Sequence, residues 1–323
     1  MPGDEFDIIQ QHFTHQPVVR EDVLLGVGDD AALLLVPAGA ELVVCMDTLV
    51  AGVHFSASTP AVAIGHKALA VNLSDLAAMG AEPAWATLAL TLPDYHPVWL
   101  ADFARGFFAL ADHYHVQLVG GDTTHGPLSV TVQAHGFIRN GKALRRQGAQ
   151  PGDRIYVTGT LGDAGLALKL RDAANDGLRK RLDYPQPRIE AGLALRKFAS
   201  AVIDVSDGLL ADLGHLLERD ELGARLDVDA LPHSQAFLEA IEQPGPGGHP
   251  PYYELPLTAG DDYELCFTVP PQHCAAVEQR LGGLACGCMA VGVIEQAPGI
   301  RCHFRDGSEY RPAGRGYLHF PDE

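Results

Sequence analysis

AVIDVSDGLLADLGHLL, residues 201–217, reads as a strand, an acidic turn and a helix in direct succession. Its apolar run ends on Asp204 and Asp207, beside a serine and a glycine. The same punctuation recurs at VGDDAALL (Asp29, Asp30), CMDTLVAGVHF (Asp47), NLSDLAAMG (Asp75), VGGDTTHG (Asp122) and AGDDYEL (Asp261, Asp262). An ionised Asp is short and only accepts hydrogen bonds. Several of them gathered over a sheet repel one another unless cations neutralise them. The pattern therefore points to Mg²⁺, and Mg²⁺ held by carboxylates points to a phosphate substrate.

Outward from that stretch, the alternation of strands and helices continues in both directions. Residues 23–36 read as strand, acidic turn and strand, and 41–47 as a strand ending on Asp47. A helix is expected over 61–79, with Val62, Leu69, Leu73 and Leu76 on one stripe and Gly80 as its stop. A strand at 85–92, a helix at 98–115, the short strand VQLVGG and a strand at 128–138 follow. The polar segment GKALRRQGAQPGD (141–153) marks a domain boundary, giving domains 1–145 and 146–323. Beyond it lie the strand RIYVTG, the turn GTLGDAG, a helix to about Ala174 and another over 189–199. After residue 217 come a surface loop PGPGGHPP (244–251), the strand YELCFTV, a helix near 272–281 and the strand MAVGVIE. The first half is α/β and the second α+β in this reading.

Composition narrows the function classes. The 323 residues are 47% hydrophobic and 20% charged, ordinary for a globular chain of two domains. Asp and Glu outnumber Lys and Arg by 41 to 23, for a formal charge of -18. No long basic run marks a nucleic-acid surface. A negative protein also repels ATP, so a bound nucleotide requires bridging metal ions. No apolar run reaches the ~18 residues that span a bilayer. The acidic N-terminus MPGDEFDIIQQHF has no apolar core of a secretion signal, so a cytoplasmic protein is expected. The six cysteines are irregularly spaced and are expected to be reduced.

Single residues carry less than the set. Asp207 and Asp163 could each cap a following helix, and Asp29 and Asp30 could make a local turn. Asp75 lies inside a helix, one turn after Asn72 on the same face. Gly120 and Gly121 lead into Asp122 and, in a loop, would let backbone amides approach an anion. Arg145 and Arg146 form one of the few cationic pairs, and guanidinium forks suit phosphate oxygens. Neither a P-loop nor a dinucleotide fingerprint is present, and no nucleophile elbow is found.

Taken in order, VGDDAALL, MDTLVAGVHF, GHKALAVNLSDLAAMGAEP, GGDTTHGPL, RQGAQPGD, VTGTLGDAGLAL, IDVSDGLLADLGHL, GDDYELCF and the terminal GYLHF resemble the thiamine-monophosphate kinase family. That family lies in the superfamily that includes aminoimidazole ribonucleotide synthetase. The resemblance implies an N-terminal α/β domain whose sheet pairs with a second copy in a homodimer, and a C-terminal α+β domain. It places ATP and several Mg²⁺ ions in a cleft between these parts. The implied reaction moves the γ-phosphoryl group of ATP directly onto thiamine monophosphate, giving thiamine diphosphate and ADP, with no covalent nucleophile.

Residue roles follow from the same resemblance. Asp30, Asp47, Asp75, Asp122, Asp204 and Asp207 would hold metal. Gly121, Asp122, Arg146 and Ser206 would contact ATP. His54 would meet thiamine monophosphate, with Asp261 or Glu264 and Tyr317 on its rings. Two departures stand out. Met46 replaces a hydroxyl residue before Asp47, and Asp261 stands where Glu is expected. Other members of the superfamily, and a binding protein that keeps the fold without catalysis, are the alternatives.

Overall fold

The computed structural model describes residues 5–241, 253–314 and 316–317, so the loop expected at 244–251 lies outside the described residues. The chain divides into two compact units. One comprises residues 1–76 with 81–142, and the other 77–80 with 143–323.

The first unit runs α1 (Glu5–His12), β1 (Val23–Leu25), β2 (Leu33–Leu34), β3 (Ala40–Val50), α2 (Ala61–Ala78), β4 (Glu82–Leu92), α3 (Pro97–His113), β5 (Gln117–His125) and β6 (Ser129–Arg139). Its main sheet has the order β3-β6-β4-β5. Only β4 and β5 pair in parallel, and α3 is the crossover that parallel neighbours require. Strand β6 alternates as a half-buried strand should: Val130, Val132 and Ala134 are fully buried, while Thr131, Gln133 and His135 are not. Helix α2 is buried almost all round, with Leu69, Leu73 and Leu76 wholly inaccessible. It meets α3 backbone to backbone. A Cβ on Gly65 would come within 2.1 Å of the Phe103 carbonyl, and one on Gly106 within 1.9 Å of the Val62 carbonyl. Over part of the sheet's other face, Val23, Ala32 and Leu34 pack against Trp85, Val119 and Phe137.

Three strands run further than expected: β4 starts at Glu82 rather than Trp85, and two others extend at their C-terminal ends. β3 does not end on Asp47 but continues to Val50, because it pairs with β6 without a break from Ala40 to Val50. β5 passes through Gly120, Gly121 and Asp122, which are paired with Thr87, Leu88 and Ala89. The glycine pair is thus strand, not loop. Its second member is a packing glycine, since a Cβ there would lie 1.8 Å from the Leu88 carbonyl.

The second unit contains β7 (Arg154–Thr158), α4 (Asp163–Leu170), α5 (Asp176–Asp183), α6 (Ile189–Leu195), β8 (Ala201–Val205), α7 (Leu209–Glu218), β9 (Gly223–Asp227), α8 (Gln235–Ala240), α9 (Glu254–Thr258), β10 (Glu264–Val269), α10 (Cys274–Leu281), β11 (Cys288–Glu295), β12 (Gly299–His303) and β13 (Glu309–Tyr310). Seven strands form one sheet in the order β13-β12-β9-β11-β7-β10-β8. All neighbours are antiparallel except β12 and β9. Strands β7, β8 and β10 are the apolar centre, and Leu209, Leu213 and Leu216 of α7 pack into their core. The helix expected to reach Ala174 stops at Leu170, and α5, α8, α9, β9, β12 and β13 had no distinct sequence signal. None of the six cysteines is in a disulfide. Among the described residues, no helix is long and apolar enough to cross a membrane.

Candidate active site

In the first unit, a cavity of about 360 Å³ opens beside β5. One part of its wall is apolar, from Ile9, Phe13, Leu88 and Leu118. The other part is Asp29, Asp30, Gly121, Asp122 and Thr123. Asp29 Oδ1 accepts the Asp30 backbone N–H at 2.8 Å, so the acidic turn is internally braced. A lining that combines apolar side chains with carboxylates suits a ligand with a flat apolar end and a metal-bound anionic end.

Asp47 lies elsewhere on the same sheet. It shares a cross-strand row with Val132, Leu88 and Gly121. Three inter-strand steps put it roughly 14 Å from Gly121. Its side chain is on the same face of β3 as Cys45, whose Sγ donates to the Asn72 carbonyl of α2 at 3.3 Å. Asp75, half-buried, follows one turn later on that helix. Asn72 itself is fully buried, and its Oδ1 has no hydrogen-bond partner. Met46 points the opposite way and is 61% exposed, so it does not share Asp47's face. In the turn after β3, the Val50 N–H donates to His54 Nδ1 at 3.0 Å. That bond makes Nδ1 the acceptor and leaves the proton of the neutral ring on Nε2.

The second unit gathers its acidic residues around the β8–α7 turn. Asp204 is buried near the end of β8, and Ser206 and Asp207 form the turn. Asp207 does not cap α7. The cap position is Gly208, at φ 113°, with no side-chain cap bond. Instead Asp212, from inside the helix, turns back. Its Oδ2 accepts the N–H groups of Ser206, Asp207 and Gly208 at 3.0, 3.0 and 3.1 Å. Burial, helped by the neighbouring Asp204 charge, pushes the Asp212 carboxyl up to about 7, although the backbone donors pull the other way. Sequence reasoning missed Asp212. The signal was available: Leu209, Asp212, Leu213 and Leu216 share one helical stripe, and a carboxylate there needs a reason.

The carbonyls of the same turn bring in two further candidates. Ser206 O accepts the Asp261 N–H at 2.8 Å, and Asp207 O accepts the Tyr317 N–H at 2.9 Å. Asp261 is held at φ 67°, in the left-handed region that Asp tolerates better than most residues. Tyr317 is 47% exposed, so its ring is available to a ligand.

Glu264 behaves differently. It is wholly buried, and its oxygens accept from Thr158 Oγ1 at 2.6 Å, Arg181 at 2.8 Å and Arg188 Nε at 2.6 Å, with a second, shorter bond from Arg188. Asp163 lies 3.5 Å from the Arg181 Nε and also accepts from Thr160 at 2.7 Å. Asp163 does not cap α4, whose cap is Gly162. Asp262 receives the Gly162 N–H on both oxygens at 2.9 Å, and burial drives its carboxyl well above the usual range. The VTGTLGDAG and GDDYEL motifs therefore build one buried polar network joining β7, α4 and β10. Arg146 is exposed, and its guanidinium makes no bond with the described residues.

The donor chemistry fits Mg²⁺. The candidates offer carboxylate oxygen throughout, and Asp29, Asp30 and Asp122 form no ion pair among the described residues. Among those residues, no three His, Cys, Asp or Glu side chains form a closed metal cage. Mg²⁺ commonly takes one or two carboxylates and completes its shell with water and substrate phosphate.

Fold and site together define a two-domain protein of the AIR synthase related class. The family model for the N-terminal domain of AIR synthase related proteins matches residues 28–138, and that for the C-terminal domain matches 150–305. The chain is 47% identical to the thiamine-monophosphate kinase of Escherichia coli K12, over 99% of both chains. A crystal structure of thiamine-monophosphate kinase from Stenotrophomonas maltophilia K279a is similar at TM-score 0.83 and 47% identity, covering 94% of this chain and 96% of that one. A solved complex of AaThiL with AMPPCP and TMP is similar at TM-score 0.75 and 28% identity, covering 97% and 96%. This chain belongs to the thiamine-monophosphate kinase family.

Proposed function

We propose that the protein transfers the γ-phosphoryl group of ATP to thiamine monophosphate, giving thiamine diphosphate and ADP. The observation that carries this reading is the end-to-end match to a thiamine-monophosphate kinase at 47% identity over 99% of both chains. The relative solved with AMPPCP and TMP supports the same pair of ligands.

The chemistry asks little covalent help from the protein, because phosphoryl transfer depends on alignment and charge neutralisation. Donor and acceptor are both phosphates, so two anions must be brought together. Mg²⁺, when bound, supplies the neutralising charge. We assign its carboxylates to Asp30, Asp47, Asp75 and Asp122 in the first unit, and to Asp204 and Asp207 in the second. The cavity beside β5 takes the nucleotide. Its apolar wall of Phe13, Ile9 and Leu118 receives the base, and Gly121 and Asp122 line the acidic side. Arg146 offers an unengaged guanidinium fork and Ser206 a hydroxyl to phosphate oxygens. His54 donates from Nε2 to the acceptor phosphate, the atom that its bond to Val50 leaves protonated. Tyr317 presents a ring to the thiazolium cation. Of the two acidic candidates for the ring contact, we choose Asp261, because the oxygens of Glu264 are already engaged by Thr158, Arg181 and Arg188.

A homodimer belongs to this reading. Leu42, Val44 and Met46 stand 43%, 48% and 61% exposed on one face of β3, an apolar stripe suited to a second copy. A cytoplasmic setting, where ATP is supplied, completes the reading. The test is a product assay with Mg²⁺-ATP and thiamine monophosphate, resolved by chromatography. Thiamine diphosphate should appear with one ADP each, vanish without metal, and be absent when free thiamine replaces the acceptor. Folded protein that binds ATP yet makes no thiamine diphosphate would overturn the proposal.

A further inference from the structure

Asp212 is 3% exposed and lies in the first turns of α7. A usual capping side chain satisfies the first amides of its own helix. Asp212 instead gathers three consecutive amides of the preceding turn, Ser206 to Gly208, on one oxygen. Three donors converging on one buried atom leave the turn a single orientation. The carbonyls of that turn are committed as well, Ser206 to Asp261 N–H and Asp207 to Tyr317 N–H. Packing closes the remaining freedom. A Cβ on Gly260 would meet the Ser206 carbonyl at 2.2 Å, and one on Gly316 would meet Ala211 at 2.5 Å. One carboxylate oxygen thus stands at the hub of four residues assigned to nucleotide, metal or acceptor.

We propose that Asp212 is a positioning residue for phosphoryl transfer, holding the Ser206–Gly208 turn so that Ser206, Asp207, Asp261 and Tyr317 present together. This rests on the function proposed above. What the turn requires is an acceptor oxygen at that point, and an asparagine amide carbonyl supplies one. An alanine supplies none. A serine hydroxyl is too short to reach three amides.

The experiment compares wild type with Asp212→Asn, Asp212→Ala and Asp212→Ser in steady-state kinetics, varying Mg²⁺-ATP and thiamine monophosphate separately. Thermal unfolding gives the folded fraction of each. The Ala and Ser variants should lose about 100-fold in kcat per folded molecule, the scale of a slight misplacement of reacting groups. The KM should rise for both substrates, because the turn serves both. Asp212→Asn should recover activity to within about fivefold of wild type, as expected when the acceptor geometry rather than the charge is needed. Where Asp212→Ala fails to fold, Asp212→Ser decides. Folded Ala or Ser variants with wild-type kinetics would reduce Asp212 to a structural role and overturn the inference. So would an Asn variant as impaired as Ala. Wild-type protein that makes no thiamine diphosphate would instead sink the function on which the inference rests.

Discussion

Removing the charge of Asp212 should change how stability depends on pH. The carboxyl moves from 3.8 to about 7 on folding, through burial and the charge of Asp204. At about 1.4 kcal/mol per pH unit, keeping it ionised in the fold costs about 4 kcal/mol. The sign follows from proton counting. Between 3.8 and 7 the folded state holds the proton and the unfolded state has lost it, so stability falls as pH rises through this window. Below the window both states are protonated and the cost is absent; above it the cost is complete. Asp212→Asn cannot titrate, and it keeps an acceptor oxygen for the turn. In protein stripped of divalent cations, urea unfolding by circular dichroism should therefore show the wild type losing about 4 kcal/mol relative to Asp212→Asn between pH 4 and pH 8. Subtracting the two curves removes every other titrating group. Parallel curves across that range would refute the reasoning, because they would mean that the carboxyl is not desolvated in the fold.

Four other outcomes are expected. Gly121→Ala puts a Cβ 1.8 Å from the Leu88 carbonyl, and backbone cannot yield as a side chain can; chemical denaturation should show a loss of about 1–3 kcal/mol, with a raised KM for Mg²⁺-ATP. Glu264→Gln leaves the part-buried Arg181 and Arg188 without their shared carboxylate, so thermal unfolding should register a loss of about 3 kcal/mol or more. Asp261→Asn, at a left-handed position that Asn tolerates, should instead leave stability nearly unchanged and raise the KM for thiamine monophosphate about tenfold, the scale of one lost charged hydrogen bond. Val44→Glu with Met46→Lys places charges on the exposed face of β3; if that face makes the proposed dimer, light scattering should give two chains for wild type and one for the variant.

Much of the secondary structure was legible because its periodicity is strong. Helix α2 carries a continuous apolar pattern and begins and ends within a residue of its expected place. β6 shows clean alternation. What escaped the sequence was set by partners far along the chain. The extension of β3 past Asp47 and of β5 through Gly121 comes from neighbouring strands, which override the local glycine and aspartate signals. Short elements such as β9 and β12 are specified by pairing with each other, not by their own composition. The acidic punctuation marked these residues out as candidates, yet it could not separate their roles. Asp163, Asp262 and Glu264 look like Asp204 and Asp207 in sequence but are engaged in a buried network with Thr160, Gly162, Arg181 and Arg188. Asp212 was missed for a different reason. Its place on the apolar stripe of α7 marks a buried carboxylate, but only the fold shows the three amides that it holds.

The most direct test of the account is a single-turnover reaction with γ-labelled ATP, Mg²⁺ and thiamine monophosphate. The label should appear in the terminal phosphate of thiamine diphosphate, one for each ADP, with none retained on the protein. ADP released at the same rate with and without the acceptor, and no labelled thiamine diphosphate, would contradict it.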